Sequence, residues 1–443
     1  MNHTSRLALE SARRLLRKGA YSHLKKILDK LHAADIALLM GQLSHKERLE
    51  IFNLLEPNKA AQVLVEMDSL LQVEVLENME PQEILKILSH LPPDEAVDIL
   101  DTLPDDKREE LLPYIEEEDV DRLLSYREET AGRIMTTDYL ALPEDMTVEE
   151  AIEEVRRSRE KEVFYIYVVD SRNHLVGVLS LRQLILQDPK AKLKDGMNPD
   201  VIRVKVDMDQ EEVARVVARY NLLAVPVVDD NNHLMGVVTV DDIIDIVQEE
   251  ATEDIYKMVG TSADELWEAS TLKVAWFRLP WLAFTLVGEM ASGLVIRHYH
   301  RTISEFVAVA FFVPLIMALA GAVGNQTQTI IVRAMATGRM EGMAWRILKR
   351  QLGVGSIMGL VGGILATGLV TLVQNNLLLG ASVGVSLFLS MTISSVIGVL
   401  VPVFSRRLGV DPAFTVPSIA TLNDIMGTFI YLSLATYLLV RIS

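Results

Sequence analysis

The sequence predicts a multidomain membrane protein with an all-α helical-repeat domain, an α+β tandem pair and a five-helix transmembrane domain. Three observations predict this class. The 443 residues carry a net charge of −18, which divides into −25 for residues 1–270 and +7 for residues 271–443. One sequence pattern occurs twice between residues 129 and 250. Five apolar segments follow, each long enough to cross a bilayer.

The composition also excludes several functions. Phosphates need a basic surface, so the acidic front half argues against a nucleic-acid partner. The chain has no Cys, which excludes disulfides, thiolate metal sites and thiol catalysis. Its first residues lack the apolar core of a signal peptide, so we expect the front half to stay in the cytoplasm. We find no metal-type His pair, nucleophile elbow or phosphate loop, and therefore expect no enzyme.

Residues 1–128 predict an acidic helical-repeat domain. Leu and Ile recur at helical spacing, and Pro or polar breaks interrupt them at regular intervals. Pro57, Pro81 and Pro93 are expected in the first turns of helices, where the missing N–H costs no hydrogen bond. Pairs of short helices with a period of roughly 24 residues predict a small solenoid.

Residues 129–190 and 191–250 predict two copies of one α+β unit. The repeated pairs are Met135 and Met197, Met146 and Met208, and His174 and His233. Each copy predicts a helix, a strand, a turn, a second strand and a second helix. The pattern resembles a tandem pair of CBS domains, here CBS 1 and CBS 2. This resemblance implies a regulatory module that binds adenine nucleotides or metal ions.

The same resemblance implies a nucleotide contact. In nucleotide-binding CBS pairs, an Asp at the start of the last helix often holds the ribose. CBS 2 has Asp242 at this place, whereas CBS 1 has Gln183. The resemblance therefore implies ATP as a modulator, with Asp242 as its contact.

The sequence predicts one long helix over residues 247–276. We assign residues 251–277 as the connecting helix between CBS 2 and the membrane spans. The long helix is polar at its start, where it carries the acidic run from Glu249 to Asp254, and amphipathic further on. It leads from CBS 2 to the first apolar segment. We therefore expect it to couple the regulatory pair to the membrane.

Hydropathy predicts five membrane spans within residues 278–443. They lie at about residues 279–296, 305–324, 352–374, 380–404 and 415–440. With the N-terminus inside, the inner segments carry nine Lys and Arg residues and the outer segments carry three. The positive-inside rule therefore predicts a multi-pass protein of the cell (inner) membrane, with cytoplasmic N-terminal domains and the C-terminus outside. Five spans are too few for a roomy pore in one subunit, so we expect a homodimeric pore on a two-fold axis.

Asp424 is the carboxylate in the middle of the last span. Such a charge at bilayer depth costs roughly 2.5–3.5 kcal/mol, and no Lys or Arg in the span offsets it. Thr421 and Thr428 lie on the same helical face, which predicts the lining of a water-filled ion path. Asn325, expected at the end of the second span, could orient water around an ion. The alternative is that Asp424 is protonated or hydrogen-bonded and only joins helices.

The combined order of parts resembles the MgtE family of magnesium channels over nearly the whole chain. The matching motifs are Glu250-Ala251-Thr252-Glu253-Asp254-Ile255, Arg278-Leu279-Pro280-Trp281-Leu282, Val323-Gly324-Asn325-Gln326, Leu408-Gly409-Val410-Asp411-Pro412-Ala413 and Ala420-Thr421-Leu422-Asn423-Asp424. This resemblance implies that Asp424 is a pore carboxylate, doubled across a homodimer. The chain departs from the family at Ala322, where the family usually has Asn.

The physical chemistry of Mg²⁺ agrees with one carboxylate from each subunit. Mg²⁺ loses water reluctantly and prefers octahedral oxygen ligands at about 2.0–2.1 Å. Two Asp424 carboxylates could hold a hydrated ion through its waters. Ca²⁺ takes about six to eight oxygens, more than this arrangement supplies. Selection among Mg²⁺, Mn²⁺ and Co²⁺ stays open.

The acidic front half predicts regulation by cytosolic Mg²⁺. Ions between the helical domain, the CBS pair and the connecting helix would cancel charge repulsion and close the gate. The resemblance implies the same negative feedback. The candidate regulatory ligands are Asp94, Asp98, Asp209, Glu211, Asp242, Asp245, Glu250, Glu253, Asp254 and Asp411.

Two alternatives to a channel stay open. A cation-coupled secondary transporter of divalent metal ions would need coupling charges in several spans, and Glu289 is the other carboxylate well inside a span. A nucleotide-sensing membrane receptor would make Asp424 a structural residue. That alternative predicts that Asp424→Asn leaves ion flux unchanged.

Overall fold

The computed structural model describes residues 11–16, 18–115, 118–158, 163–262, 265, 270–338, 340 and 342–440. The chain forms two compact units, Met1–Val247 and Gln248–Ser443. Three charged residues that enter the count of +7 for residues 271–443 lie outside the described residues; these are Arg339, Glu341 and Arg441.

Short helices begin at regular intervals through the front of the first unit. They are Tyr21–Leu28, Ala33–Met40, His45–Phe52, Pro57–Val65, Ser69–Leu76, Pro81–Leu88, Pro93–Thr102 and Asp105–Leu111. Proline occupies the first helical position in three of them, where its fixed φ suits the helix start. From Ala33–Met40 to Asp105–Leu111, each helix contacts the helix that lies two places further along the chain. The predicted repeat of helix pairs is therefore confirmed.

Shorter elements lead from this solenoid into the CBS pair. A 3₁₀ turn at Leu112–Tyr114 precedes the helices Glu118–Leu124 and Ala131–Ile134. Arg133 is buried, and its guanidinium donates to the Asp101 carboxylate at 2.5 and 2.7 Å. One apolar core continues from the solenoid into CBS 2.

The two CBS units have the same secondary structure. CBS 1 consists of Ala131–Ile134, Ala141–Pro143, Val148–Arg157, Tyr165–Val169, Leu175–Ser180 and Leu181–Ile185. CBS 2 consists of Leu193–Gly196, Val204–Lys205, Gln210–Tyr220, Ala224–Val228, Leu234–Thr239 and the helix Val240–Val259. In each three-stranded sheet the first two strands are parallel and the last two antiparallel. The predicted α+β repeat is confirmed.

The repeated Asp-x-x-Asn-His sequence forms the turn of each strand pair. In CBS 1 the Asp170 carboxylate accepts hydrogen bonds from the backbone N–H groups of Arg172 and His174. Asn173 has a φ of 65°, a left-handed conformation that Asn tolerates better than most residues. The His174 ring stacks on the equivalent His233 ring at 4.7 Å, so the two turns meet.

The predicted single helix over residues 247–276 is wrong. The helix that begins at Val240 ends at Val259, and the next long helix begins at Thr271. Gly260 has a φ of 76°, which ends the helix at little steric cost. A Cβ at Gly260 would lie 3.0 Å from the Trp281 ring, so this glycine also allows a close approach to the following helix. The connecting helix of residues 251–277 is therefore two helical segments with a break.

In the described part of the second unit, five helical segments are long and apolar enough to span a membrane. They are the first span Thr271–His298, the second span Val307–Ala336, the third span Ala344–Gln374, the fourth span Leu377–Arg407 and the fifth span Pro412–Val440. The short helix His300–Glu305 joins the first two. The second span begins with a 3₁₀ segment, Val307–Phe312, and continues as Val313–Ala336; the fifth begins with Pro412–Thr415 and continues as Val416–Val440. The predicted number is confirmed, but the helices extend beyond the apolar segments.

Small residues bring the spans together around the fourth span. This helix packs against the second, third and fifth spans. A Cβ at Gly359 would lie 2.8 Å from the Phe388 carbonyl oxygen, and Gly363 faces Gly384 at similarly close range. Small residues allow such close approach between membrane helices. By contrast, the first span has its most extensive contacts with the fifth and is largely exposed in the single chain.

Candidate ion path and acidic clusters

The structure places Asp424 beside a second carboxylate in the transmembrane unit. Asp424 is partly buried on the fifth span, and the Glu289 carboxyl group on the first span is close to it. Among the described residues, neither group forms a salt bridge with Lys, Arg or His. Two adjacent carboxyl groups in an apolar region require a proton or a cation between them.

Thr421 and Thr428 flank Asp424 on one face of the fifth span, as the spacing predicts. Both are buried in the single chain. Thr421 packs against Gly288, and the Thr428 hydroxyl lies 3.4 Å from the Ser292 hydroxyl. The first span therefore covers this polar face within the chain, so the two threonines form a helix contact there.

Asn325 lies in a different place from the one expected. The sequence predicts it at the end of a span, but the second span continues as a helix to Ala336. Asn325 is therefore in the middle of the span, with its side chain exposed in the single chain. The neighbouring Thr327 and Gln328 on the same helix are buried inside the transmembrane unit.

Asn423, next to Asp424, is a buried polar residue that sequence analysis missed. It is 2% exposed, and neither amide atom has a hydrogen-bond partner in the described part of the chain. Its side chain packs against Gly324 of the second span, where a Cβ would leave no room for the amide. The polar group is therefore held at a close contact between two spans.

A separate acidic cluster lies in the first unit, where the solenoid meets CBS 2. Burial raises the pKa of Asp94, and the nearby charges of Asp138 and Asp241 add to this effect. Burial, followed by the charge of Asp94, raises the pKa of Glu95 to about 7. Burial also raises the pKa of Asp242 to about 7, with a further contribution from Asp94.

This cluster brings together two predicted ligands and adds one that sequence analysis missed. Asp94 and Asp242 come from elements that are distant in the sequence. Glu95 was missed because its helical spacing alone does not distinguish it from the many exposed acids. The Asp94 Oδ1 atom is buried and has no hydrogen-bond partner among the described residues. An orphaned carboxylate oxygen among like charges fits a bound cation.

Other predicted regulatory acids in the first unit have different surroundings. Asp98 and Asp245 are exposed, although each shares a helix with a cluster acid. Asp209 Oδ1 accepts the Glu211 N–H at 3.0 Å and thereby caps the helix Gln210–Tyr220. Glu211 forms a salt bridge with Arg215 at 2.6 Å. Asp209 and Glu211 therefore have local structural roles.

One lysine contacts two of the predicted regulatory acids in the second unit. Glu250, Glu253 and Asp254 all lie on the helix Val240–Val259. The Lys257 Nζ atom lies 2.5 Å from Glu253 Oε1 and 3.0 Å from Asp411 Oδ2. Burial lowers the pKa of Lys257, but these hydrogen bonds outweigh burial and raise it overall. Lys257 was missed, although its i, i+4 spacing from Glu253 is a signal for an ion pair.

Asp411 has a second local contact. Its Oδ1 atom accepts the Ala413 N–H at 2.9 Å and caps the 3₁₀ turn that begins the fifth span. The Lys257 ammonium also lies over the Phe414 ring, 5.3 Å from its centroid. Phe414 stacks on Trp281 at 5.7 Å. These contacts connect the end of the acidic helix with the beginnings of the first and fifth spans.

The predicted nucleotide contact Asp242 caps its own helix. Its Oδ2 atom accepts the Thr239 hydroxyl at 2.6 Å. In CBS 1, Gln183 forms the equivalent bond with the Ser180 hydroxyl at 2.9 Å. The two repeat positions therefore have the same capping function despite their different side chains.

Over the described ranges, no group of three His, Asp or Glu residues is arranged to hold a metal ion by itself.

The fold and these sites define a multi-pass membrane protein whose front half contains a helical repeat and a pair of α+β units. The description "MgtE intracellular N domain" matches residues 31–129, "CBS domain" matches residues 131–188 and 192–249, and "Divalent cation transporter" matches residues 313–434. A magnesium transporter MgtE of Thermus thermophilus is 37% identical over 97% of this chain and 98% of the relative. A Bacillus subtilis magnesium transporter MgtE is 33% identical over 95% of both chains.

The front half is also similar to a solved structure. The soluble part of a magnesium transporter matches 56% of this chain and 99% of that chain, with 33% identity and a TM-score of 0.52. The chain belongs to the MgtE family of divalent cation transporters. The predictions of this family and of a transporter rather than an enzyme are confirmed.

Proposed function

We propose that the chain is a Mg²⁺ channel that mediates uptake across the cell (inner) membrane as a homodimer. The N-terminal domains lie in the cytoplasm and the C-terminus outside. Asp424 of each subunit contacts the hydrated ion, and Asn325 orients its waters. Thr421 and Thr428 shape the wall behind Asp424. The names of the curated relatives support Mg²⁺ as the transported ion.

The observation that carries the proposal is Asp424 itself. It is a partly buried carboxyl group at the middle of a span, with no cationic side chain paired to it among the described residues. A hydrated divalent ion satisfies such a group without the loss of its inner waters. The alternative of a purely structural Asp424 leaves two adjacent carboxyl groups to share a proton.

Cytosolic Mg²⁺ closes this channel in our proposal. In the first unit, the cation binds at Asp94 and Asp242, with Glu95 close by. In the second unit, Glu253 and Asp411 attract it, together with Glu250 and Asp254. Asp98, Asp209, Glu211 and Asp245 supply the surrounding negative potential. Neutralised clusters hold the domains together, and repulsion between the acids separates them when Mg²⁺ is scarce.

ATP is the second modulator in the proposal. It would bind to the CBS pair with its ribose near Asp242. The Asp242 Oδ2 atom already accepts the Thr239 hydroxyl, so the ribose would use the other carboxylate oxygen. Equilibrium binding of ATP to parent protein and to Asp242→Asn tests this contact.

Mg²⁺ flux into liposomes tests the transport function. We expect the parent protein to conduct and Asp424→Ala and Asp424→Asn to lose most of the flux. Glu305→Gln is the matched control, because Glu305 is an exposed carboxylate at the end of the short helix after the first span. Undiminished flux through Asp424→Asn would instead favour the structural role.

A cation-coupled secondary transporter is the second candidate function. The contact between Glu289 and Asp424 favours it, because coupled transport needs more than one ionisable group in the spans. Flux that saturates at a low rate and follows the gradient of a second ion would support this candidate. Single-channel currents would support the channel.

A further inference from the structure

The first and fifth spans meet along a polar seam. Thr421 packs on Gly288, and Thr428 lies beside Ser292. Further along, the Tyr299 hydroxyl lies 2.7 Å from the Ser433 hydroxyl. The Thr302 hydroxyl, in the short helix after the first span, lies 2.7 Å from the Thr436 hydroxyl. The residue numbers rise together in both helices, so the two spans run parallel with a fixed register.

This register brings Glu289 to Asp424. Glu289 lies between Gly288, which contacts Thr421, and Ser292, which contacts Thr428. Asp424 lies between the same two threonines on the fifth span, so the register places the two carboxyl groups close together. Both side chains are partly buried, whereas Ser292 and Thr428 on the same seam are fully buried. The carboxyl pair therefore lies where the seam is more open. The other pairs of the seam hold the two spans together, so the packing of the spans does not depend on a charge at position 289.

The pair has the chemistry of a site for a hydrated divalent ion. Mg²⁺ in proteins usually keeps several waters and contacts one or two carboxylates. A single carboxylate attracts monovalent and divalent cations alike, but two adjacent carboxylates favour the divalent ion because each charge adds to the attraction. A neutral glutamine could serve the seam as a hydrogen-bonding side chain equally well.

We propose that Glu289 is a specificity-determining residue of the ion path, and that it contacts the hydrated divalent ion together with Asp424. This inference rests on the proposed function of Asp424 as the pore carboxylate. Each subunit then supplies two carboxylates from two parallel spans. Glu289 sets the preference for divalent over monovalent cations, and Asp424 is required for conduction.

Mg²⁺ and Na⁺ currents through Glu289→Gln test the proposal. We expect the Mg²⁺ concentration that half-blocks the Na⁺ current to rise about tenfold, with a matching fall in the preference for Mg²⁺ over Na⁺. Glu289→Asp keeps the charge and should stay close to the parent. Ser292→Ala changes the seam without a charge and should leave the preference unchanged. A parent-like half-blocking concentration in a folded Glu289→Gln protein would overturn the proposal.

A second measurement covers the case in which Glu289→Gln does not fold. The chain has no Cys, so Glu289→Cys introduces a single thiol. If Glu289 faces the ion path, micromolar Cd²⁺ should inhibit Mg²⁺ flux through Glu289→Cys and excess Mg²⁺ should protect it. Ser292→Cys, buried in the seam, should be insensitive, as should the parent. Cd²⁺-insensitive flux through Glu289→Cys would contradict the proposal.

Asp424→Asn separates failure of this proposal from failure of the proposed function. If Asp424→Asn abolishes flux and Glu289→Gln matches the parent in block and preference, Asp424 is the pore carboxylate and Glu289 is structural. If Asp424→Asn also conducts normally, the pore assignment itself is wrong. Glu289 would then lose its proposed function together with Asp424.

Discussion

The Lys257 ammonium group lies 3.0 Å from the Asp411 carboxylate, which immediately precedes the fifth span. The same ammonium contacts Glu253 one turn earlier on its own helix. A cationic side chain therefore occupies the position between two acids that would otherwise attract Mg²⁺. A tethered ammonium and a divalent ion cannot both fill this position, so we expect them to compete.

Replacement of Lys257 should make channel closure more sensitive to Mg²⁺. In Lys257→Gln, the two carboxylates lose their internal cation and gain affinity for Mg²⁺. The Mg²⁺ concentration that half-closes the channel should therefore fall to about one-fifth of the parent value. Single-channel open probability against cytosolic Mg²⁺ measures this change. Lys257→Arg keeps the charge and serves as the control. A higher half-closing concentration in Lys257→Gln would show that the lysine supports closure.

Neutralisation of the buried acid in the first unit should weaken closure. Asp94→Asn removes a charge from a site with an orphaned carboxylate oxygen, so the Mg²⁺ concentration that half-protects the chain from protease should rise about tenfold. Asp105→Asn is the control, because Asp105 is an exposed acid at the start of the next helix. Equal protection of Asp94→Asn and the parent would exclude Asp94 as a ligand.

The first unit should lose stability as the pH rises in the absence of Mg²⁺. The pKa of Glu95 and of Asp242 is raised to about 7 in the folded protein, so the folded state binds protons more tightly than the unfolded state. This contribution is present below the ordinary carboxyl pKa, near 4, and is lost as the pH approaches 7. Thermal unfolding of the full chain in EDTA from pH 5 to pH 8 measures it.

The double variant Glu95→Gln with Asp242→Asn provides the control for this pH dependence. It lacks both titrating groups, so its unfolding temperature should vary less with pH than that of the parent. Saturating Mg²⁺ should also raise the stability of the parent at pH 8. An unfolding temperature that rises from pH 5 to pH 7 in the parent and not in the double variant would contradict the assigned pKa shifts.

Gly288 should be intolerant of substitution, because a Cβ at this position would overlap the Thr421 side chain. Gly288→Ala should cost about 1–3 kcal/mol of stability through overpacking, and it should reduce flux by displacing the first span from Asp424. Gly293→Ala is the matched control, since a Cβ there meets nothing within 4 Å. Thermal unfolding in detergent and liposome flux together measure the effect. Equal behaviour of the two variants would argue against the seam.

Local patterns in the sequence predict much of this fold. The regular spacing of prolines and acids predicts the solenoid, since both residue types favour the first turn of a helix. The Asp-x-x-Asn-His turns and hydropathy predict the CBS pair and the five spans. These features depend on neighbours along the chain, and each leaves a periodic signal.

The contacts across the candidate sites could not be predicted in the same way. Glu289 and Asp424 lie far apart in the sequence, and only the packing of two spans joins them. Lys257 and Asp411 are similarly distant along the chain. The helix break at Gly260 was missed although a Gly followed by Thr261 and Ser262 is a signal for a helix end. The close contact of Gly260 with Trp281 is tertiary and leaves no local signal.

The measurement that tests the central claim most directly is Mg²⁺ influx into proteoliposomes containing parent protein or Asp424→Asn at equal protein density. The substitution keeps the size of the side chain and removes its charge. If Asp424 is the pore carboxylate, influx through Asp424→Asn should fall at least about tenfold, while Glu305→Gln stays near the parent. Influx through Asp424→Asn equal to that of the parent would contradict the claim.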